Sequence, residues 1–592
     1  MIEQRNLLLA MALSISILLG WNVLFPNAEP PATTETASGA VSAPGQSSDV
    51  ALPLLAPGVT GDAPAAGASD GVMSRAAALA KSPRVMIQSP RVAGSIALKG
   101  GRIDDLTLTT YRETIDPDSP PVKLLSPSGS PEGYFAEFGW IGEKAGVAPG
   151  AMALWEATGN TLKAGSSIAM KWRGETGLVF ERTISLDDDY MFTIEDSVRN
   201  ESNRPQTLRP YGLVSRAGLP EISQLFVLYE GPIGVFNGTS QEVSYKDLME
   251  DDGSGSVENV TQGGWLGMTD VYWLAAIIPD AATTVKARFL HHASGGKDRF
   301  QVDYSSAEGM LVAPGASANY EHHFFGGAKE VNLLDKYEAE LGVENFDHAI
   351  DFGWFYFLTK PFFYALNWLY GILGNFGLAI MALTVGIKAL FFPLANKSYK
   401  SMSQMKALQP EMVRLREKHG ADRTKLNQEM MTLYKERKVN PAAGCLPIIV
   451  QIPVFFALYK TLIVTIEMRH APFFGWIQDL SAPDPSNVFN LFGLIPFQPP
   501  EFLHLGAWAL AMGLTMFLQQ RLNPQPTDPV QARIFALMPV IFTVLLAGFA
   551  AGLVIYWTWN NLLSITQQAI IMKRQGVAIG RGTQKNATGG KA

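Results

Sequence analysis

Thr384-Val385-Gly386-Ile387-Lys388-Ala389-Leu390-Phe391-Phe392-Pro393 closes an apolar run that begins near Phe362, and one lysine sits inside it. A cation in the hydrocarbon zone of a bilayer costs roughly 2.5–3.5 kcal/mol on insertion scales, so such a residue marks a functional position by default. Thr384 lies one helical turn earlier, on the same face. The pair predicts a polar, wetted groove along one side of a membrane helix. The bland alternative is a lysine that snorkels to the interface beside Pro393.

Working outward, the 592-residue chain has room for more than one domain, and its composition (47% hydrophobic, 17% charged) leans towards a membrane protein. The net charge of −7 averages two opposites. Residues 26–350 hold about 42 acidic and 24 basic side chains; the remainder holds about 12 and 23. Basic excess beside membrane spans marks the cytoplasmic side, which places the acidic part across the membrane. Cys445 is the only cysteine, so no intrachain disulfide can form.

The N-terminal 25 residues carry Arg5 ahead of an apolar core and are expected to be an uncleaved signal anchor, with Arg5 inside. Residues 26–80, rich in Ala, Pro, Gly, Ser and Thr, read as a flexible tether. Over 81–330 the pattern changes to short alternating runs. Ser95–Lys99, Gly100-Gly101 and Arg102–Thr109 form a hairpin pattern; Phe180, Arg182 and Ile184 alternate before Asp187-Asp-Asp, and Tyr190, Phe192 and Ile194 resume after it. This predicts a large antiparallel β-sandwich. Residues 331–361 read as connecting and interfacial helices.

The expected spans are 1–25, 362–394, 444–466 (bent by Pro447 and Pro453), 507–520, 534–549 and 552–572. Residues 534–572 carry no charge, and as one helix would be about 58 Å long, nearly twice a hydrocarbon core. A turn at Gly548–Gly552 resolves this. Six crossings from Arg5 inside put the 395–443 insert, the 521–533 loop and the 573–592 tail in the cytoplasm and the sandwich and the 467–506 loop outside. Up to Arg574 the three inside segments hold 15 basic residues, eleven from Lys397 to Lys438 with Arg521, Arg533, Lys573 and Arg574, as the positive-inside rule requires. The insert has helical periodicity at Met405, Leu408, Met412 and Leu415, then at Leu426, Met430 and Leu433. With Gly420 as breaker and Asp422 as N-cap, it predicts a helical hairpin. Its basic excess is either a solvated face or a contact with an anionic partner such as ribosomal RNA or lipid headgroups.

Asn440-Pro-Ala-Ala-Gly-Cys-Leu-Pro-Ile-Ile-Val-Gln-Ile-Pro-Val-Phe-Phe-Ala-Leu-Tyr459 resembles the signature of the YidC/Oxa/Alb family of membrane-protein insertases. So do Met405–Pro410, Gln428–Tyr434, Met538–Thr543 and Gly552–Trp557; the similarity covers about 350–574. The start Gln4-Arg5-Asn6 and the outer sandwich resemble the Gram-negative YidC type, with a large periplasmic domain. The resemblance implies an inner-membrane insertase and chaperone, not an enzyme, with no cofactor. It would insert nascent membrane proteins, alone or with the Sec translocon, through a groove carrying one positive charge. That charge is usually arginine in the family; the matching residue is Lys388, which keeps the charge but lacks the bidentate fork. The same match makes Gln451 a polar groove residue, Thr384 and Trp557 substrate contacts, and Phe455 part of an apolar slide. Tyr556 and Asn560, beside Trp557, complete the candidate set. The ribosome, through the hairpin and basic tail, and membrane lipids are the other expected partners.

Rival readings are a transporter or channel with a periplasmic binding domain, which would call for internal repeats and several intramembrane charges. A sugar-active sandwich using Glu195 and Asp196 is another, although adjacent strand residues point to opposite faces. His291-His292 and His322-His323 lack metal-ligand spacing, and no phosphate-binding Gly-x-x-x-x-Gly-Lys-Ser/Thr loop is present.

Overall fold

Alternation along Arg84–Ala328 builds two packed sheets of 11 and 9 strands. The computed structural model describes residues 73–574 except 143–145, 221–227, 251–255, 295–296, 420–421, 441–445, 498, 501–503 and 524–528. The expected N-terminal anchor, most of the tether, Gly420, Cys445 and the tail beyond residue 574 lie outside the described residues.

Gln206–Ala217 lies centrally in the larger sheet, between Tyr134–Gly142 and Lys297–Ser306; Ser317–Ala328 lies between Met191–Asn200 and Trp273–Pro279 in the smaller one. The expected hairpin forms, with Val92–Ala97 antiparallel to Arg102–Arg112. Gly100 and Gly101 both take positive φ at its turn, a conformation glycine adopts without a Cβ penalty. The sandwich is not wholly antiparallel, because Arg84–Gln88 pairs in parallel with Thr161–Lys163.

Two short helices, α1 (Arg75–Leu79) and α2 (Tyr245–Glu250), accompany the sheets, and α3 (Val331–Leu341) leads out of them. α4 (Tyr356–Leu373) and α5 (Phe376–Leu390) follow, meeting at a bend of 120°. The run expected to be one span, 362–394, is therefore divided between two helices, and the first of them begins at Tyr356 and ends at Leu373. Gly374 ends α4 in the left-handed conformation, and Asn375 caps α5 by accepting a hydrogen bond from Leu378 N. Stop and start signals thus sit side by side within an unbroken apolar run.

The insert forms the expected hairpin from α6 (Phe392–His419) and α7 (Arg423–Glu436), with Asp422 capping α7 through Lys425 N. Tyr399, Met402 and Ile571 form a small core where α6 meets the last helix. α8 (Leu446–Val464), α9 (Ala507–Leu522), α10 (Pro529–Leu546) and α11 (Ala551–Arg574) complete the helical part. The break between α10 and α11 falls at the expected turn. Among the described residues no single helix has both the length and the hydropathy to cross a membrane; α4 and α5 reach them together. α10 nevertheless presents Ile534, Phe535, Leu537, Val540, Ile541, Val544 and Leu545 outward, each about half exposed or more. An apolar stripe of that size outside, with Thr558, Asn560, Asn561, Ser564 and Gln568 buried inside, suits a lipid environment.

Sandwich and helices share one core, which runs from the sheets through Phe352 and Phe363 to Val464 and Ile466. Around it Lys360 bridges Asp335 (2.9 Å) and Asp347 (2.6 Å), and Lys460 pairs with Asp351 (2.5 Å). Lys329 is buried there, its Nζ donating to Thr269 Oγ1 and Ala349 O, and burial lowers its pKa to about 8. Glu467 accepts from Val331 N at 3.3 Å at the mouth of α3, and burial, with Glu330 adding to it, pushes its carboxyl up to about 7. A carboxyl raised in the fold stabilises fully below its unfolded value, 4.5, and that contribution is lost as pH rises through 7. Glu467→Gln should flatten this loss and raise stability at pH 8 by roughly 3 kcal/mol. Thermal unfolding of the detergent-solubilised chain at pH 5 and pH 8 reads it; an unchanged midpoint difference between the two pH values would count against the assignment.

Candidate functional site

Lys388 occupies the last turn of α5, where a cation also meets the negative end of the helix dipole. It is half-buried, and its Nζ donates to Ser564 Oγ of α11 at 2.8 Å. Ser564 in turn donates to Asn560 O at 2.8 Å. No carboxylate among the described residues forms an ion pair with Lys388, whereas Lys360 and Lys460, nearer the sandwich, both have acidic partners. Among the described residues, then, the Lys388 ammonium has a hydroxyl and no carboxylate as its partner. The contact turns its ammonium towards α11.

The other expected residues fall into two groups. Gln451 of α8 donates to Tyr556 Oη of α11, and Phe455 meets Trp557 edge-on with ring centroids 4.8 Å apart. These contacts tie α8 to α11, and Trp559 Nε1, donating to Met381 O, ties α11 to α5. Lys388, Gln451, Phe455 and Trp557 are each only partly buried and line the junction of the three helices. Thr384, Tyr556 and Asn560 are buried instead. The Thr384 hydroxyl donates to Ile380 O one turn back in its own helix (2.7 Å), so it presents no free donor to a passing chain. Thr384, expected as a substrate contact, thus lies within the helix packing in this structure. Asn560 Oδ1 is buried and finds no hydrogen-bond partner among the described residues.

Beside Lys388 lies a cavity of about 40 Å³, lined by Ile387, Phe391, Tyr399, Gln451 and Val454 among others. That is room for about one or two waters. Ile387, Phe391, Val450 and Val454 also line a neighbouring, almost wholly apolar cavity of about 450 Å³, reached by Phe355 and Phe362. The two cavities thus share a wall, and the smaller one adds Lys388, Tyr399 and Gln451 to an otherwise apolar lining.

Ser564 and Tyr399 were not singled out from the sequence. The available signal is the i, i+4 run Asn560, Ser564, Gln568, which aligns polar side chains along one side of α11.

Fold and site together define a helical bundle with an outward apolar face and a hydroxyl-bound lysine, joined to a large β-sandwich. Residues 84–365 match the family model of the YidC periplasmic domain and residues 368–577 that of the 60Kd inner membrane protein. The membrane protein insertase YidC of Methylobacterium nodulans is 49% identical to this chain, over 98% of this chain and 96% of its own. That of Rhizobium meliloti is also 49% identical, over 98% and 97%. The chain belongs to the YidC family of membrane protein insertases. A solved structure of an active YidC insertase with its first transmembrane domain resolved aligns with 82% of this chain and 92% of its own, at 16% identity and a TM-score of 0.34. Family membership rests on the full-length relatives. It places the chain in the inner membrane with a periplasmic sandwich, and sets aside the transporter and sugar-enzyme readings.

Proposed function

We propose that this insertase passes the polar outer end of a nascent helix along the α5–α8–α11 junction, with Lys388 as its electrostatic receiver. The observation that carries the reading is the Lys388–Ser564 contact: a charge inside the bundle whose partner is a neutral hydroxyl. A hydroxyl satisfies one ammonium hydrogen without neutralising the charge, so attraction for a passing carboxylate persists. Lipid penalises charge and bare backbone throughout the hydrocarbon core. A polar pocket part-way across shortens the dry path, and Phe455 with Trp557 offers an apolar edge along which the span moves into lipid. Burial of that span, aided by the membrane potential acting on its charges, drives the step.

In the topology that fits this reading, α5, α8, α9, α10 and α11 cross the membrane with the N-terminal anchor as a sixth span. Both termini are cytoplasmic. α4 lies in the interface, its exposed Phe357, Tyr364, Trp368 and Tyr370 supplying the aromatic side chains suited to that depth. The α6–α7 hairpin then faces the cytoplasm, with its basic residues available to a ribosome or to lipid headgroups, and a Sec translocon is a further candidate partner. Photo-crosslinkers at 388 and 451 should capture stalled nascent chains of increasing length, with adducts shifting as the span emerges. Crosslinks confined to lipid at every length would overturn the path.

A further inference from the structure

The loop between α8 and α9 has a locked base and an exposed apolar tip. At the base Asp484 is buried; its Oδ1 accepts from Trp476 Nε1 (2.9 Å), Ser486 N and Ser486 Oγ, and its Oδ2 from Trp508 N. Ser486 Oγ accepts from Ala507 N. Asp484 and Ser486 thereby satisfy free N–H groups in the first turn of α9 and stabilise its positive dipole end. Val488 N donates to Leu505 O, closing the stem.

Beyond that stem Phe489, Leu491, Phe492, Leu494, Ile495 and Phe497 are 44–84% exposed. No charged residue occurs from 485 to 500. Leu491 (φ 50°) and Phe492 (φ 59°) both take the left-handed conformation, which bulky side chains avoid. Six large apolar side chains splayed from a pinned stem cannot fold back onto the protein, and water is a poor solvent for them.

We propose that this tip is a membrane-docking element seated in the lipid interface on the sandwich side of the bundle. Three features favour lipid as its occupant. The loop leaves α8 where Val464 and Ile466 enter the sandwich core, so it lies at the sandwich end of the bundle, at the level where a membrane surface meets it. Its tip, residues 485–500, carries no charge that would select a protein partner by complementarity. It is also flanked by Phe474 and Trp476, about half exposed, with the indole N–H tied to Asp484, the amphipathic arrangement aromatic rings adopt at a membrane surface. The inference rests on membrane placement and not on which side is cytoplasmic.

The test places a nitroxide at Leu494 and, separately, at Phe492 of the full chain, in a Cys445→Ser background. The chain is reconstituted into phosphatidylethanolamine/phosphatidylglycerol vesicles, and Glu308, exposed on the sandwich, serves as an aqueous control. Collision with dissolved oxygen relative to a water-soluble nickel chelate should rise at least threefold over the Glu308 position. A ratio equal to the control, or protection from both reagents as a protein contact would give, overturns the proposal. Leu494 makes the test robust, because its side chain is 84% exposed and its replacement removes little packing. Reaction of the Glu308→Cys thiol with an impermeant maleimide from outside the cell reads the topology independently.

Discussion

Lys388→Glu should reduce insertion of substrates with acidic outer segments by at least tenfold, while Lys388→Arg stays within about twofold of the parent. The lysine has a hydroxyl at 2.8 Å and no paired carboxylate among the described residues, so its charge is not already neutralised. At an effective dielectric near 20, unit charges 4 Å apart interact by about 4 kcal/mol. Reversing the sign turns attraction into repulsion, and tenfold requires only about 1.4 kcal/mol of it. Arginine preserves the charge and donates to a hydroxyl equally well. Its additional fork has no carboxylate to engage until substrate arrives. Lys388→Met removes the charge at similar volume and should fall between the two. Insertion of a single-span test protein into proteoliposomes measures all three. A test protein without acidic residues in the translocated segment should be almost indifferent to the sign at 388. Equal insertion of the acidic substrate by the glutamate variant would end the electrostatic role. Ser564→Ala supplies the remaining control: if Ser564 only steadies the ammonium, its loss should cost less than charge reversal.

That experiment bears on the residue the sequence singled out, and the structure shows why its surroundings were harder to read. A lysine in an apolar run is anomalous in any register, so Lys388 was visible at once. Ser564 is not anomalous, since a serine hydroxyl in a membrane helix can bond its own backbone, as Ser564 also does with Asn560 O. Its second contact depends on how α5 and α11 pack. Thr384 follows the same logic in reverse, correctly placed one turn from Lys388 but withdrawn by its bond to Ile380 O. The divided span at 374–375 had a local signal, glycine followed by asparagine, that hydropathy overrode. One long apolar helix and two shorter ones joined at a bend have similar mean hydropathy, and only the capping geometry separates them. In the sandwich, alternation was enough to orient Phe180, Arg182 and Ile184 inward. It also buried an arginine, contrary to residue preference, and the reason appears only in the neighbouring strand.

Asp196 lies directly across from Arg182 in the smaller sheet, and Asp196→Ala should destabilise the sandwich by about 3–5 kcal/mol. Arg182 Nε and Nη2 donate to the two Asp196 oxygens at 2.6 and 2.7 Å. Nη1 reaches Gly101 O and Nη2 also reaches Phe138 O, both on the larger-sheet side. One side chain thus ties the two layers across their shared core, with Trp155 stacked 5.0 Å from its guanidinium. Removing the carboxylate leaves the guanidinium buried and uncompensated, the costly half of a buried pair. Glu195 is the internal control: it points to the opposite, exposed face, and Glu195→Ala should stay within about 0.5 kcal/mol. Replacing both partners, Arg182→Met with Asp196→Leu, should recover much of the loss, because no charge is then left buried. Burial pushes the Asp196 carboxyl upward, but the Arg182 guanidinium, with His322 assisting, outweighs it and holds the pKa at about 2. A depressed carboxyl contributes stability above its unfolded value, 3.8, and loses it as pH falls through 2, here about 2 kcal/mol. Thermal unfolding of the detergent-solubilised chain, followed by tryptophan fluorescence, should show a midpoint lower by about 10 °C for Asp196→Ala at pH 7. The gap from the parent should narrow below pH 3, where the parent's own carboxylate begins to protonate. A gap unchanged from pH 7 to pH 2 would mean that the ion pair contributes through shape alone.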